Sequence, residues 1–463
     1  MSNYSPFPGK QIFQISTEDL DILSTVSEGW YVEYKRDLPS QSSIAKSISA
    51  FANTYGGWLF FGVEESAKSD NVAASCPGIA RAELDSGLQK IRQSAAQYLN
   101  PTPHFEIKVV WGPNSTMNLT EDRAVICVEV NLSPLAPHIH SSGCIYRRVS
   151  DSSEPKAEND RHQLDLLWDR RVKIDEEYKS WIEREPERSK DEGEWPYLRL
   201  LLDADLCGAK DKSWDLTLDQ INEVLNDSTS GPALPFETIQ PSGHGWVARQ
   251  TSSLDRHERF GLTWIVGRGL QCELWLPLNT FEANEPDHLI VNLGKYAYFD
   301  RFLAEMKRAK AGFSRIVDLN QLLMVLIAVT NTYLKLLAKA KHPTSKFHAK
   351  AILGEVWRTI PFLDSEVMLE RISKYGLPLC LTSEAMVPGG RDAKSFFEVT
   401  LLGDEEAKEI QFHTGAFWLF ELVCRALGLQ GMFADDSNEE LSKLFTELLD
   451  SFDRTRDNSI NQK

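Results

Sequence analysis

The sequence predicts an α+β protein: a mixed or antiparallel sheet flanked by helices, followed by a second α/β or α+β domain with a helix-rich end. Three features predict this class. Segments at 31–36 and 57–63 have the pattern of strands, and a segment of helical spacing at 42–54 lies between them. Several further strand-forming segments follow before residue 150. After Tyr298, long segments of helical spacing dominate.

The first strand is predicted from strict alternation of residue type. In the segment VEYKR, Val32 and Tyr34 alternate with Glu33 and Lys35. Because successive side chains of a strand point to opposite faces, Glu33 and Lys35 are expected on one face. The sequence therefore predicts an acid and a base side by side.

The helix and the second strand complete this opening unit. Ile44, Ile48 and Phe51 recur at helical spacing, and the pair Gly56-Gly57 supplies the glycine that commonly ends a helix. The segment 57–63 is a continuous apolar run, which is typical of a buried strand.

The later elements follow from the same rules. In the first domain we expect a helix at about 82–99, strands at 104–111, 123–131 and 144–149, and a closing helix at 161–171. We predict domains at 1–171 and 195–463, joined by a charged linker or helical arm at 172–194. Within 195–463, the patterns predict helix-rich segments at 197–203 and 216–225, strands across 235–278, and helices at 317–340 and 413–428.

Composition limits the classes of function. The chain of 463 residues is long enough for two or three domains. Its formal charge of −17 argues against non-specific coating of nucleic acid, although a local basic groove remains compatible with it. The seven cysteines are scattered without a CxxC pair, which favours a reducing cytoplasm. The N-terminus lacks the pattern of a signal peptide, and no membrane association is expected.

The carboxylates near the two strands suggest a metal-dependent nuclease. Such an enzyme needs two or three acids at one point, because Mg²⁺ and Mn²⁺ prefer oxygen ligands. Glu33 lies on the first strand, Glu28 lies upstream of it, and Glu64 and Glu65 follow the second strand. Lys35 would stabilise the negative charge of a transition state.

These residues also carry a resemblance to a known family. The segment resembles the AlbA-like domain of the Schlafen family, and the resemblance covers about residues 10–171. The matching residues are Glu28, Val32-Glu33-Tyr34-Lys35, Ala50-Phe51-Ala52-Asn53-Thr54, Gly56-Gly57, Gly62-Val63-Glu64-Glu65 and, more weakly, Tyr146-Arg147-Arg148-Val149-Ser150 and the segment 164–171.

The resemblance implies a metal-dependent endoribonuclease that cleaves structured RNA, with tRNA as the implied substrate and phage defence or stress response as the implied setting. The catalytic acids and metal ligands would be Glu28, Glu33 and Glu65, with Mg²⁺ or Mn²⁺ as cofactor and Lys35 as a catalytic cation. The family usually has Asp at the last position, so Glu64 remains an alternative to Glu65. Residues 195–463 would clamp the RNA or sense a trigger, and a homodimer is expected.

Basic residues provide candidate contacts to nucleic acid. Arg147 or Arg148 would contact a backbone phosphate, since a guanidinium matches phosphate geometry. Lys307, Arg308 and Lys310 form part of a basic patch on an expected helix. Ordinary salt bridges and solvated helix faces are the alternative for both groups.

Structural alternatives remain open for the acids as well. Glu33 and Lys35 would then form a simple ion pair, Glu28 would be a solvated turn residue, and Glu64 and Glu65 would be the polar end of a buried strand. The corresponding alternative function is a non-catalytic nucleic-acid-binding or regulatory protein. Metal-dependent turnover discriminates between the two functions, because a binder shows salt-dependent affinity without turnover.

Overall fold

The computed structural model describes residues 4–8, 10, 12–66, 71–149, 154–186, 188–190, 192–204, 206, 216–227, 234, 236–243, 245–250, 261–267, 269–340, 342, 346–400, 408–429, 443–444, 446–448 and 450. The chain divides into two compact units. The first is formed by residues 1–179, and the second by residues 180–206 and 213–463.

The first unit alternates strands and helices. In chain order its elements are β1 (Val32–Lys35), α1 (Gln41–Asn53), β2 (Gly57–Phe61), β3 (Glu64–Glu65), β4 (Ala73–Ser75), β5 (Ile79–Ala80), α2 (Arg81–Tyr98), β6 (Leu99–Asn100), β7 (Phe105–Trp111), β8 (Arg123–Val130), β9 (Ile139–His140), β10 (Tyr146–Arg147), β11 (Lys156–Ala157) and most of α3 (Arg161–Glu183).

A mixed sheet forms the centre of this unit. β1 and β2 run parallel, as expected for two strands joined by a crossover helix, here α1. β8 pairs antiparallel with β2 on one side and with β7 on the other, and β5 extends the β2 side of β8. The predicted mixed sheet with flanking helices is confirmed.

The sheet separates two apolar layers. On one face, Val32 and Tyr34 of β1 pack with Trp58 and Phe60 of β2. On the other face, Leu59 and Phe61 pack against α1 and α2 through residues that include Ile44, Ile48, Phe51 and Ile91. The alternation along β1 therefore directs Glu33 toward the α1 layer, where an acid needs polar partners.

Two boundaries differ from the expected ones. β2 ends at Phe61, because Gly62 adopts a φ of +88° and turns the chain before Glu64 and Glu65. Helix α3 runs past residue 171 to Glu183 without interruption, and the division between the units falls near its C-terminal end.

The second unit contains more strands than helices over its first half. Its elements are β12 (Tyr197–Asp203), α4 (Leu218–Leu225), β13 (Thr238–Ser242), β14 (Gly245–Arg249), β15 (Thr263–Gly267), β16 (Cys272–Pro277), β17 (Thr280–Glu282), α5 (Pro286–Leu293), α6 (Phe299–Arg308), β18 (Arg315–Asp318), α7 (Leu322–Lys339), β19 (Lys346–Gly354), β20 (Thr359–Phe362), α8 (Glu366–Tyr375), β21 (Glu384–Val387), β22 (Phe397–Thr400) and α9 (Lys408–Ala426).

A large antiparallel sheet organises these elements. Its strands follow the order β13-β14-β15-β16-β12-β19-β21, with β22 also pairing β19. A smaller sheet of β17, β18 and β20 includes the parallel pair β18 and β20. The α+β class with a helix-rich end is confirmed, but the segment 197–203 is a central strand and the helix predicted there is wrong.

Helix α7 is the main apolar helix of the second unit. Among the described residues it is long and apolar enough to cross a membrane, but length and composition alone select it. Of its 18 residues, 72% are buried within the protein, as in the core helix of a soluble protein. Its buried apolar residues belong to the core of the second unit, which favours the interpretation of α7 as a core helix.

Candidate functional site

Glu33 occupies the centre of the candidate site. Its side chain is almost fully buried, and each carboxylate oxygen has a partner. The Oε1 atom accepts a hydrogen bond from Ser47 Oγ of α1 at 2.9 Å and lies 3.0 Å from Lys35 Nζ. The Oε2 atom accepts from Arg148 Nη1 at 2.9 Å. The expectation that Glu33 and Lys35 share one face of β1 is confirmed.

Arg148, just after β10, is the buried partner of this carboxylate. Its side chain is 0% exposed, and its Nε donates to the carbonyl oxygen of Gly29 at 3.1 Å, a bond that Nη2 reinforces. The guanidinium also lies over the Phe51 ring, 4.8 Å from its centroid. The expected phosphate contact by Arg148 does not fit this structure, because the guanidinium is enclosed and bonded within the domain.

Together Glu33 and Arg148 fix the loop that precedes β1. The loop begins at Glu28, whose backbone N–H donates to Asn71 O at 2.7 Å. Arg148 holds the loop at Gly29, and Gly29 N–H donates to Val32 O at 3.0 Å. The buried pair thus sets the position of Gly29, which lies 119 residues away in sequence from Arg148.

Glu28 is buried next to this pair. Its side chain is 7% exposed and accepts a short hydrogen bond from the backbone N–H of Tyr34. A carboxylate with so little contact to water is costly to ionise. The interpretation of Glu28 as a solvated turn residue is therefore excluded.

The electrostatics of Glu28 connect it to the other predicted residues. The pKa of the Glu28 carboxyl is raised to about 7, and burial is the largest cause. The Tyr34 N–H and the Lys35 ammonium partly offset this rise, and the charges of Glu65 and Glu33 contribute to it. The structure thus brings the four predicted residues Glu28, Glu33, Lys35 and Glu65 into one electrostatic neighbourhood.

The two acids after β2 lie in different environments. Glu64 and Glu65 form the short strand β3, which pairs with β4. Glu64 Oε1 lies 3.0 Å from Arg36 Nη1, and Ser75 Oγ lies 3.4 Å from its Oε2. Glu65 is exposed. Of the two, Glu65 is the more exposed residue, and its charge contributes to the raised pKa of Glu28.

The carboxylates of the site do not form an open ligand set for Mg²⁺ or Mn²⁺. Both oxygens of Glu33 are engaged by Ser47, Lys35 and Arg148, and one oxygen of Glu28 accepts from the Tyr34 N–H. Within the described ranges, no three His, Cys, Asp or Glu residues are grouped so that they could hold a metal ion. This arrangement does not fit a divalent ion as it stands.

The remaining predicted basic residues divide between the two units. Arg147 Nη1 donates to Glu158 Oε2 at 2.6 Å, joining β10 to the residues after β11. Lys307, Arg308 and Lys310 are exposed at the end of α6 in the second unit, and Arg308 pairs with Glu305. These three cations form a surface patch on that unit.

Asn53 has a structural role at the end of α1. Its Nδ2 donates to the carbonyl oxygens of His138 and Tyr146 at 3.1 and 3.0 Å, and its Oδ1 accepts from the His138 N–H at 2.8 Å. The end of α1 is thereby joined to β10 and to the residue that precedes β9. Gly56 at φ +74° leaves no room for a side chain, since a Cβ would lie 2.8 Å from the Val130 carbonyl oxygen.

Sequence reasoning missed two contributors to the site. Ser47 lies among the apolar residues of α1 in sequence, and only the three-dimensional structure shows that its hydroxyl donates a hydrogen bond to Glu33. The second contributor is a set of aromatic rings around the 28–31 loop, in which Tyr4 and Tyr55 from distant positions join Trp30 and Tyr31. Tyr34, two residues after this loop, is buried in the core.

Residues 28–157 match the family model described as Schlafen, AlbA_2, which associates this domain with a nucleic-acid-related function. The resemblance is thereby confirmed for this segment. No curated protein matches the chain.

Two solved structures are similar to parts of the chain. The N-terminal domain of an ATP-dependent DNA helicase RecG-related protein from Nitrosomonas europaea is 22% identical with a TM-score of 0.23, and the match covers 32% of this chain and 97% of that one. Protein DIP2311 from Corynebacterium diphtheriae is 14% identical with a TM-score of 0.20, covering 31% of this chain and 28% of that one.

Proposed function

We propose that this chain, whose residues 28–157 form a Schlafen AlbA_2 domain, is an endoribonuclease whose reactive groups are Glu28, Lys35 and Glu65, held in place by Glu33. Structured RNA is the proposed substrate class, and tRNA is the substrate that the resemblance implies. A role in phage defence or stress response belongs to the same proposal.

The pKa of Glu28 carries this proposal. A carboxyl group that titrates near neutral pH can take a proton from an attacking hydroxyl or give one to a leaving oxygen, whereas an ordinary glutamate is a poor acid at pH 7. Buried carboxyls with strongly shifted pKa values and charged neighbours are typical of catalytic sites.

Lys35 supplies the complementary charge. Its side chain is 33% exposed, so its ammonium can reach both the Glu33 carboxylate and a bound phosphate. Removing such a donor from a developing negative charge commonly slows a reaction by about 10²- to 10³-fold. Glu65, exposed beside it, is the second acid–base candidate.

Dependence on Mg²⁺ or Mn²⁺ was expected from the acids of the sequence and from the resemblance, and the geometry of the site does not support it. Because the oxygens of Glu33 are already engaged, we assign no step to a divalent ion.

The experiment is incubation of the purified chain with total tRNA, ribosomal RNA and single-stranded DNA, with Mg²⁺, Mn²⁺ or EDTA. Lys35→Ala is the test variant. Lys10→Ala is the matched control, because Lys10 is also an ion-paired, partly exposed lysine of the same unit, 2.6 Å from Asp19. Cleavage by the wild type and Lys10→Ala but not by Lys35→Ala supports the proposal, and intact RNA in every lane contradicts it.

A second candidate is a non-catalytic nucleic-acid-binding protein. One observation favours it: the carboxylate at the centre of the site, Glu33, is neutralised by two cations, one of them fully buried. In that case RNA binding falls with rising salt, no product forms, and Lys35→Ala changes affinity without any effect on RNA integrity.

A further inference from the structure

Four aromatic side chains form a continuous set beside the proposed active site. Tyr4 stacks on Tyr31 with ring centroids 4.8 Å apart, Tyr31 lies 6.2 Å from Tyr55, and Tyr55 lies 5.6 Å from Trp30. We call these four residues the aromatic platform. They come from the N-terminal segment, the 28–31 loop and the end of α1.

The platform is accessible to solvent. Tyr4 is 36% exposed and Tyr55 39%, and Trp30 and Tyr31 are half-buried. By contrast, Tyr34, Trp58 and Phe60 are enclosed in the core next to it. Apolar surface of this kind costs free energy in water unless a partner covers it.

The platform is also held rigidly. Trp30 and Tyr31 belong to the loop that Arg148 fixes at Gly29, and the Tyr31 carbonyl oxygen accepts from the Trp58 N–H at 2.7 Å. The buried pair of Glu33 and Arg148 therefore positions these rings as well as the acids. Preorganised rings bind a flat partner at a low entropic cost.

Positive charge lies at the edge formed by Tyr55. Arg170 of α3 lies there, with its Nη1 3.3 Å from Ser133 O and its Nη2 3.5 Å from Asn53 O, the carbonyl two residues before Tyr55. Flat rings next to a guanidinium group match the two parts of an unpaired nucleotide, since the base stacks and the phosphate is attracted.

We propose that the aromatic platform binds an unpaired base of an RNA strand next to Glu28, so that the substrate carries an unpaired segment at or beside the cleavage point. This inference deepens the proposed function and rests on it for the identity of the ligand as RNA. A fully paired duplex cannot offer a base face to the platform, and so the surface selects loops, bulges or ends.

The test is the equilibrium binding of fluorescently labelled RNA, measured by anisotropy without added divalent ion. An oligouridine strand is compared with a fully paired duplex of equal length. Tyr55→Leu and Trp30→Leu remove a ring but keep an apolar side chain, Tyr55→Phe keeps the ring, and Trp168→Leu is the control because Trp168 is 48% exposed on α3.

We expect Tyr55→Leu and Trp30→Leu each to weaken binding of the single strand by about 5- to 100-fold, the range for loss of one stacked base. Tyr55→Phe and Trp168→Leu should bind like the wild type, and binding of the duplex should be unchanged by all four variants. Wild-type affinity of the two ring-removing variants, or an equal loss for strand and duplex, overturns the inference.

Cleavage of tRNA is measured in parallel, so that the two proposals fail separately. If Tyr55→Leu and Trp30→Leu bind single strands weakly while the wild type cleaves no RNA, the platform stands and the nuclease proposal fails. If the wild type cleaves and these variants bind normally, the nuclease proposal stands and the platform fails. Circular dichroism of each variant shows whether the fold is kept.

Discussion

Glu33 gives the sharpest prediction, because it was expected as a catalytic residue and the structure makes it part of the fold. In the variant Glu33→Ala, Arg148 remains fully buried without its carboxylate, and Ser47 loses an acceptor. Breaking a buried ion pair by removing one partner costs about 3–5 kcal/mol. We expect Glu33→Ala to lose that much free energy of unfolding.

The magnitude follows from the contacts. Arg148 keeps its bonds to the Gly29 carbonyl oxygen and its position over Phe51, so the loss stays below the full cost of an isolated buried charge. The interaction with Lys35 adds little, since Lys35 is one-third exposed and such pairs contribute about 1 kcal/mol or less. For a unit of this size, 3–5 kcal/mol lowers Tm by about 6–20 °C.

The assay is urea denaturation at pH 7 monitored by far-UV circular dichroism, and thermal melting gives Tm. The double variant Glu33→Leu/Arg148→Met removes both charges, and we expect it to lose less than the sum of its two single variants. A Glu33→Ala protein within about 1 kcal/mol of the wild type would refute the structural role. Loss of RNA cleavage in Glu33→Ala therefore does not identify Glu33 as a catalytic group.

Three further predictions concern the groups around Glu33. The pKa of Glu28 is raised on folding from 4.5 to about 7, so its contribution to stability is present below pH 4.5 and is lost as pH rises through 7. In urea denaturation, Glu28→Gln should therefore gain stability relative to the wild type as pH rises across that window. Parallel stability profiles of the two proteins against pH would contradict this. Lys35→Ala should lose about 10²-fold or more in cleavage rate but only about 1 kcal/mol or less in stability; a fall in stability as large as that of Glu33→Ala would show that the lost activity reflects unfolding. Glu65→Ala, at an exposed position, should leave Tm unchanged and slow cleavage, and unchanged cleavage would assign the second acid to Glu64.

Much of the first unit was predictable because its signals are local. Alternation along 32–35, helical spacing along α1 and the apolar run of β2 each predict their element directly, and the facing of Glu33 and Lys35 follows from the strand period alone. The helix predicted at 197–203 was wrong because this segment lacks such a local signal. It is a short apolar run buried on both faces, and such a run has no period that distinguishes a strand from a buried helix.

For the site, the sequence predicted which residues take part but not what each of them does. The sequence indicated Glu28, Glu33, Lys35 and Glu65, but their roles depend on contacts that no local pattern encodes. Arg148 reaches Glu33 across 115 residues of sequence, and the aromatic platform unites rings from the N-terminus, the 28–31 loop and the end of α1. Burial pairs Glu33 with Arg148 in a structural role and raises the pKa of Glu28.

The central claim is that Glu28 transfers protons during RNA cleavage, and the pH dependence of the reaction tests it most directly. Single-turnover cleavage of tRNA should be measured between about pH 5 and about pH 9 for the wild type and Glu28→Gln. We predict a wild-type profile with an apparent pKa near 7, matching Glu28, and a slow variant without that ionisation. A wild-type rate without an inflection near pH 7, or a Glu28→Gln variant with the wild-type profile, would contradict the assignment.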